Sequence, residues 1–234
     1  ICWSLVGSEM CIRDRLSPRS GGNRLIWDMR YPGFKSFEGM VLYSSPNVGP
    51  KVAPGKYNIK MTYNNQILQK EFEIVKDPRV KISQADYEDQ LEFLINVRDE
   101  VSRANQKIID IRNIKNNMIF ISDKTRDNIE LQEMINNYLT DVSEIENNIH
   151  MTKNQSRQDP LNYGIRINNR IAFLLADSQR GDYPPTDQSK EFFIQVKGEL
   201  DSEVMKLDAL IDKHSQKIEN YLEENKIELI SFNN

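Results

Sequence analysis

Apolar residues change their spacing near Asp77-Pro78, and the change divides the chain in two. Upstream the period is two. Leu25, Trp27, Met29 and Tyr31 alternate with Ile26, Asp28 and Arg30, and Tyr57, Ile59, Met61 and Tyr63 alternate with Asn58, Lys60, Thr62 and Asn64. Residues two apart share one face of a strand, so each run predicts a strand with one apolar face. Residues 40–43 form a short further run, and Leu68, Phe72 and Ile74 line one side of a return strand. Pro54-Gly55 predicts a type II turn, with proline setting the first corner and glycine taking positive φ at the second. Asn64-Asn65 predicts a tight hairpin turn, because asparagine tolerates the left-handed region. Together these segments predict a small antiparallel sandwich of immunoglobulin-like character over residues 16–78.

Downstream the spacing becomes three and four, the signature of one-faced helices. Ser83 with Asp86 predicts a capping box, followed by Tyr87, Leu91, Leu94, Val97, Val101, Ala104, Ile108, Ile111 and Ile114. After a break around 121–124, Leu131, Ile135, Tyr138, Val142, Ile145 and Ile149 make a second stripe. Ile167, Ile171, Leu174 and Leu175 mark a short third helix. Thr186 caps the fourth, whose stripe runs from Phe193 through Val196, Leu200, Val204, Leu207, Ile211, His214 and Ile218 to Tyr221. Narrow stripes must bury against one another, so residues 79–234 predict an antiparallel bundle of long helices. The expected class is α+β.

Composition narrows the function more than the fold. The 234 residues are 38% hydrophobic and 28% charged, with a net charge of -4. The longest apolar runs, 118–121 and 171–176, fall far short of the roughly 20 residues of a membrane span. A mildly acidic chain with both signs interspersed lacks the basic face that nucleic acid requires. Residues 5–15, Leu-Val-Gly-Ser-Glu-Met-Cys-Ile-Arg-Asp-Arg, resemble the translation of a transposase sequencing adapter. Residues 1–15 are therefore expected to be an adapter artefact, dispensable for stability, with the native N-terminal part missing. Both cysteines, Cys2 and Cys11, fall there, and the remainder then offers no thiolate metal site, disulfide or cysteine nucleophile.

Candidate chemistry is sparse. His214 sits on an apolar stripe and His150 follows the second helix, with no further ligands at zinc spacing. Asp110, Glu130, Glu144 and Glu203 read as solvated helix faces rather than paired catalytic acids. Phosphate-cradling glycine loops and a nucleophile elbow are absent, so no catalytic residue, cofactor or metal is expected. The connection from 149 to 170 is dense in fixed donors and acceptors, with Arg157, Asp159, Asn162, Arg166, Asn169 and Arg170 as its polar cluster. Such groups suit a hydrogen-bonded connection that pins the third helix, with Arg157, Asp159 and Arg166 pairing, or else a polar ligand groove.

Three separated blocks carry a resemblance. They are Gly22-Asn-Arg-Leu-Ile-Trp-Asp-Met-Arg-Tyr-Pro32, Gly49-Pro-Lys-Val-Ala-Pro-Gly-Lys-Tyr57 and Gln158-Asp-Pro-Leu-Asn-Tyr-Gly-Ile-Arg-Ile-Asn-Asn-Arg-Ile171. In this order they resemble the C-terminal region of large exported bacterial proteins labelled glycosyl hydrolases with neuraminidase-type repeats, or sortilin-type propeller proteins. The resemblance covers residue 16 to the end. It implies export, a bacterial source and a propeller upstream in the same chain as partner, with any hydrolase activity belonging to that propeller. The propeller's Asp-box, Ser-x-Asp-x-Gly-x-x-Trp, has no match here. Three functions follow as expectations: an accessory region packing on or extending the propeller, a helical interaction or dimerisation module, and an enzyme fragment contributing to a glycan site.

Overall fold

A computed structural model describes residues 2–7, 10–15, 19–227 and 229, the first two stretches by their backbone alone. Four strands come first: β1 (Cys2–Gly7), β2 (Met10–Arg15), β3 (Gly55–Tyr63) and β4 (Gln66–Ile74). They form one sheet in the order β2-β1-β3-β4, with every neighbouring pair antiparallel. The β3–β4 hairpin turns as its sequence predicts, on Asn64 at φ 46° and Asn65 at φ 62°. Its register sets Tyr57 opposite Phe72 and Met61 opposite Leu68 on one face. Pro54-Gly55 makes no type II turn; Gly55 opens β3 with φ 154° instead.

The predicted sandwich is not completed in this part. Residues 25–31 and 40–43 form no strand; between 19 and 54 only an isolated bridge, Arg30 to Lys51, pairs in β fashion. The second layer of the immunoglobulin-like sandwich is thus missing among the described residues. The reason lies in where the apolar side chains go. Met29 takes a left-handed φ of 58°, which breaks the pleat. Trp27 still covers the sheet, edge-on to Tyr57 and Phe72 at 6.4 and 6.3 Å, but from a loop. Phe34 turns the other way and is buried in the helical core, with Phe37, Met40 and Leu42 packed against it. Residues 29–32 and 49–52 run backbone against backbone, Tyr31 N–H to Pro50 O at 2.8 Å and Val52 N–H to Met29 O at 3.0 Å. Gly49 is needed there, since a Cβ would sit 1.8 Å from Tyr31 O. Within residues 1–15, read from the sequence as a translated adapter, the described stretches are β1 and β2. The backbone of β1 pairs along the edge of β3, and β2 pairs with β1. An open strand edge is a row of unpaired amides and carbonyls that any short alternating segment can satisfy.

The helices follow their sequence signals closely. They are α1 (Gln84–Lys124), α2 (Ile129–Ile149), α3 (Pro160–Tyr163), α4 (Ile167–Ser178) and α5 (Asp187–Glu224). Ser83 and Asp86 close the capping box on α1, and the Thr186 hydroxyl accepts the Ser189 N–H on α5. At 1.5 Å per residue, α1 is about 60 Å long. Ion pairs Asp89–Lys190, Arg103–Asp201 and Lys107–Asp208 show α1 and α5 running in the same direction. The helices between them run the opposite way. Gln90 meets the Ser178 carbonyl and Asn105 meets Asn168, while Arg112 meets Glu146 and Ser122 meets Gln132. So α4 lies along the first half of α1 and α2 along the second, end to end. The bundle is three rods, and its antiparallel middle rod is interrupted by residues 150–166. Val97, Val101, Ile108, Ile135, Val142, Ile149, Val196, Leu200 and Leu207 are wholly buried along its axis. Among the described residues, no helix is long and apolar enough to cross a membrane.

Candidate functional site

The interruption is where polar side chains gather. α2 stops at Ile149, and His150 turns extended while its N–H still bonds Glu146 O at 2.7 Å. Pro160 starts α3, Gly164 releases it at φ 83°, and α4 begins with Asn168 and Asn169 buried in its first turn. Asn168 Nδ2 donates to Asn105 Oδ1 at 3.1 Å and lies in hydrogen-bond contact with His150 Nδ1 at 3.2 Å. Asn105 Nδ2 in turn donates to the Lys35 carbonyl at 2.6 Å, and Ser102 Oγ accepts the Lys35 N–H at 3.0 Å. Asn169 grips Tyr43 by both backbone groups: Oδ1 accepts its N–H at 2.7 Å, and Nδ2 donates to its carbonyl at 3.0 Å. These amides satisfy backbone groups that residues 35–45 cannot pair in a sheet, and they hold a segment that turns at Glu38-Gly39 and bends at Tyr43-Ser44.

A charged group completes the junction. Glu146 is buried and accepts from Arg112 and Lys115, each at 2.9 Å. Burial pushes its carboxyl up, but the hydrogen bonds and charges of Lys115 and Arg112 outweigh that and hold it below the ordinary 4.5. Arg112 also donates to Glu38 O at 2.7 Å and lies over the Phe37 ring at 4.7 Å. Phe37 stands edge-on to His150 at 5.0 Å. Burial is the main cause holding His150 below its ordinary 6.5, with its hydrogen bond to Asn168 acting in the opposite direction. His214 lies apart, stacked on Tyr138 at 4.8 Å with Nε2 3.2 Å from Asp141.

The six residues of the polar cluster meet different fates. Asn169 is buried in the junction. Arg170 pairs with Glu199 on α5 and lies 5.4 Å from the Phe192 ring. Asp159 does not pair with arginine; its oxygens accept the N–H groups of Gln155 and Ser156, both at 2.7 Å, and the Ser156 hydroxyl at 2.9 Å. Those bonds lower its carboxyl pKa. Arg157 is exposed, Asn162 is exposed, and Arg166 is half-buried with an unpartnered Nε. The expected Arg157–Asp159–Arg166 cluster therefore does not form, because a local turn satisfies Asp159 more cheaply than a buried guanidinium would. Beside the junction, residues 40–47 and 155–158 enclose an open groove of about 750 Å³.

Sequence reasoning missed Asn105, Glu146 and Asn168, and it misplaced Glu203. The signal for two of them was present: Asn105 stands between Val101 and Ile108 at helical spacing, and Glu146 between Val142 and Ile149. A polar residue on an apolar stripe must be bonded inside the protein. Glu203 is buried rather than solvated, held by Asn148 and Lys206 at 3.2 and 2.7 Å. Among the described residues no three of His, Cys, Asp and Glu gather to hold a metal ion. Comparison of the chain with protein-family profiles, curated proteins and solved structures finds no match.

Proposed function

We propose that the chain is a non-catalytic accessory region of a larger exported bacterial protein, packing on or extending a propeller that lies upstream. The observation that carries this reading is the convergence of the three resembling blocks. Gly22–Pro32 and Gly49–Tyr57 meet directly through the Arg30–Lys51 bridge and the Trp27–Tyr57 contact. Gln158–Ile171 joins the segment between them through Asn169 and Tyr43. The buried polar groups at this meeting point are bonded to backbone and to one another, which suits a scaffold better than a reacting centre. The genomic DNA preceding the Leu16 codon tests the proposal. A continuous reading frame encoding Asp-box repeats is expected, and a frame that stops or lacks a propeller would sink it.

A helical interaction module is the second reading, favoured by one feature of α5. Ile194 and Met205, 71% and 72% exposed, lie three turns apart on the same outward face with Gly198 between them. Sedimentation of the isolated chain separates the two readings. A monomer across the micromolar range favours the accessory region, and a dimer lost in Met205→Glu favours the module.

A further inference from the structure

The β3–β4 hairpin has more open backbone than its own two strands can close. Its two-residue turn makes Tyr63 and Gln66 a hydrogen-bonded pair, so Met61, Ile59 and Tyr57, at steps of two from Tyr63, also bond to β4. The N–H and C=O groups of Asn58, Lys60 and Thr62 therefore point to the opposite edge. That edge is unbroken, with no proline and no positive φ over residues 56–63. Little else supports the hairpin. No strand runs against a helix among the described residues, and Trp27 covers the apolar face only at Tyr57 and Phe72. At the turn end, Leu68 and Tyr63 stay 61% and 49% exposed. A two-stranded hairpin alone is marginal in water, and a third strand is the usual remedy. Here β1 takes the edge, antiparallel, with Val6, Ser4 and Cys2 opposite Asn58, Lys60 and Thr62.

We propose that in the parent protein this edge of β3 is paired by an antiparallel strand from the chain that immediately precedes Leu16. The proposal rests on the accessory-region reading and names the seam that joins the region to what lies upstream. β1 belongs to the residues that resemble a translated adapter, so on that reading it occupies a place meant for another strand. Reach identifies the occupant. Trp27 fixes the chain on the sheet, and the eleven residues from 16 to 26 span up to roughly 36 Å. The nine residues of β3 span about 30 Å, so the entering chain can reach every point of the edge. Tethering gives it a local concentration that a separate partner lacks. The edge also selects side chains. Residues beside Ile59 and Met61 share the face that Trp27 caps and are apolar; the residue beside Lys60, whose β4 neighbour Gln69 is uncharged, is acidic or polar.

Hydrogen exchange tests the proposal on the chain carrying its native upstream residues, read from genomic DNA, in place of 1–15. The Asn58, Lys60 and Thr62 amides are the probes, because β4 cannot protect them. They should exchange about tenfold or more slowly than unstructured peptide, and prolines placed in the upstream alternating run should return them to the unstructured rate. Val101 and Ile108, deep in the helical core, should stay slow in both chains, which separates loss of the strand from loss of the fold. The proposal is overturned if the three amides exchange at the unstructured rate with the native residues present, or if the prolines leave them protected. Protection that grows with protein concentration also overturns it, since a second copy would then hold the edge. So does a gene that encodes residues 1–15 as they stand. A frame that continues upstream without Asp-box repeats sinks the accessory-region reading alone, and protection of the three amides still decides the strand.

Discussion

Asn169→Ala is the sharpest perturbation of the junction. The side chain is 4% exposed and makes three hydrogen bonds, at 2.7 and 3.0 Å to Tyr43 and at 3.2 Å to Ser45. A neutral hydrogen bond contributes about 1 kcal/mol net, and a buried group left unpaired costs more. Tyr43 is only half-buried, so its freed N–H and C=O regain water in part. The expected loss is about 2–3 kcal/mol, most of it from backbone groups that no other residue can satisfy. Urea melts followed by circular dichroism measure it, and the slope of the transition carries a second result. If residues 35–47 stay docked in the mutant, the slope is unchanged; if they detach before the helices unfold, it falls, because less surface is exposed in the main transition. Asn162→Ala, an exposed change in the same connection, serves as control and should cost less than about 0.5 kcal/mol. A loss in Asn169→Ala as small as the control's would refute the claim that these amides hold the segment.

Other outcomes follow from the same geometry. Glu146→Ala strips a buried carboxylate from two partly exposed cations and should cost about 2–3 kcal/mol in the same melts, below the usual loss for a fully buried pair. His150 has a folded pKa below its ordinary 6.5, so the unfolded chain binds the proton more tightly. Stability should therefore be full above about pH 6.5 and decline as pH falls from there through the folded pKa; His150→Asn should flatten thermal melts compared at about pH 7.5 and pH 5.5. Glu146 adds to the loss only at lower pH, since its stabilisation is present above about 4.5 and disappears as pH falls through its depressed folded value. Trp27→Ala should cost about 2 kcal/mol, less than a fully buried tryptophan, with quenching of Trp27 fluorescence by iodide checking that the ring is half-covered.

The helical half was legible because its signals are local. Capping boxes, three-and-four spacing and a hairpin asparagine pair each act within a few residues, and Ser83, Thr186 and Asn64-Asn65 do what their chemistry dictates. The upstream half misled because alternation says which side chains share a face, not what the face packs against. Phe34 and Met40 serve the helical core, and Trp27 serves the sheet, from a segment whose backbone bonds to side chains across the fold. The composition of residues 149–170 marked a hydrogen-bonded connection, and Asn169 fulfils that role. The partners could not be read, since Asn105 lies 63 positions from Asn168 and Tyr43 lies 126 positions from Asn169 along the chain. The stacking of α2 and α4 as one broken rod was likewise illegible, because no residue in either helix names the neighbour at its end.

That residues 35–47 and the helices form one unit is the account's central claim, and native-state hydrogen exchange tests it most directly. The Lys35 and Tyr43 amides donate to Ser102 and Asn169, side chains of α1 and α4. In urea below the unfolding transition, their opening free energies should converge on those of core amides such as Val101 and Ile108, to within about 1 kcal/mol, with matching urea dependence. If these two amides instead exchange several kcal/mol more easily and without urea dependence, the segment opens independently, and the junction is a resting place rather than a lash.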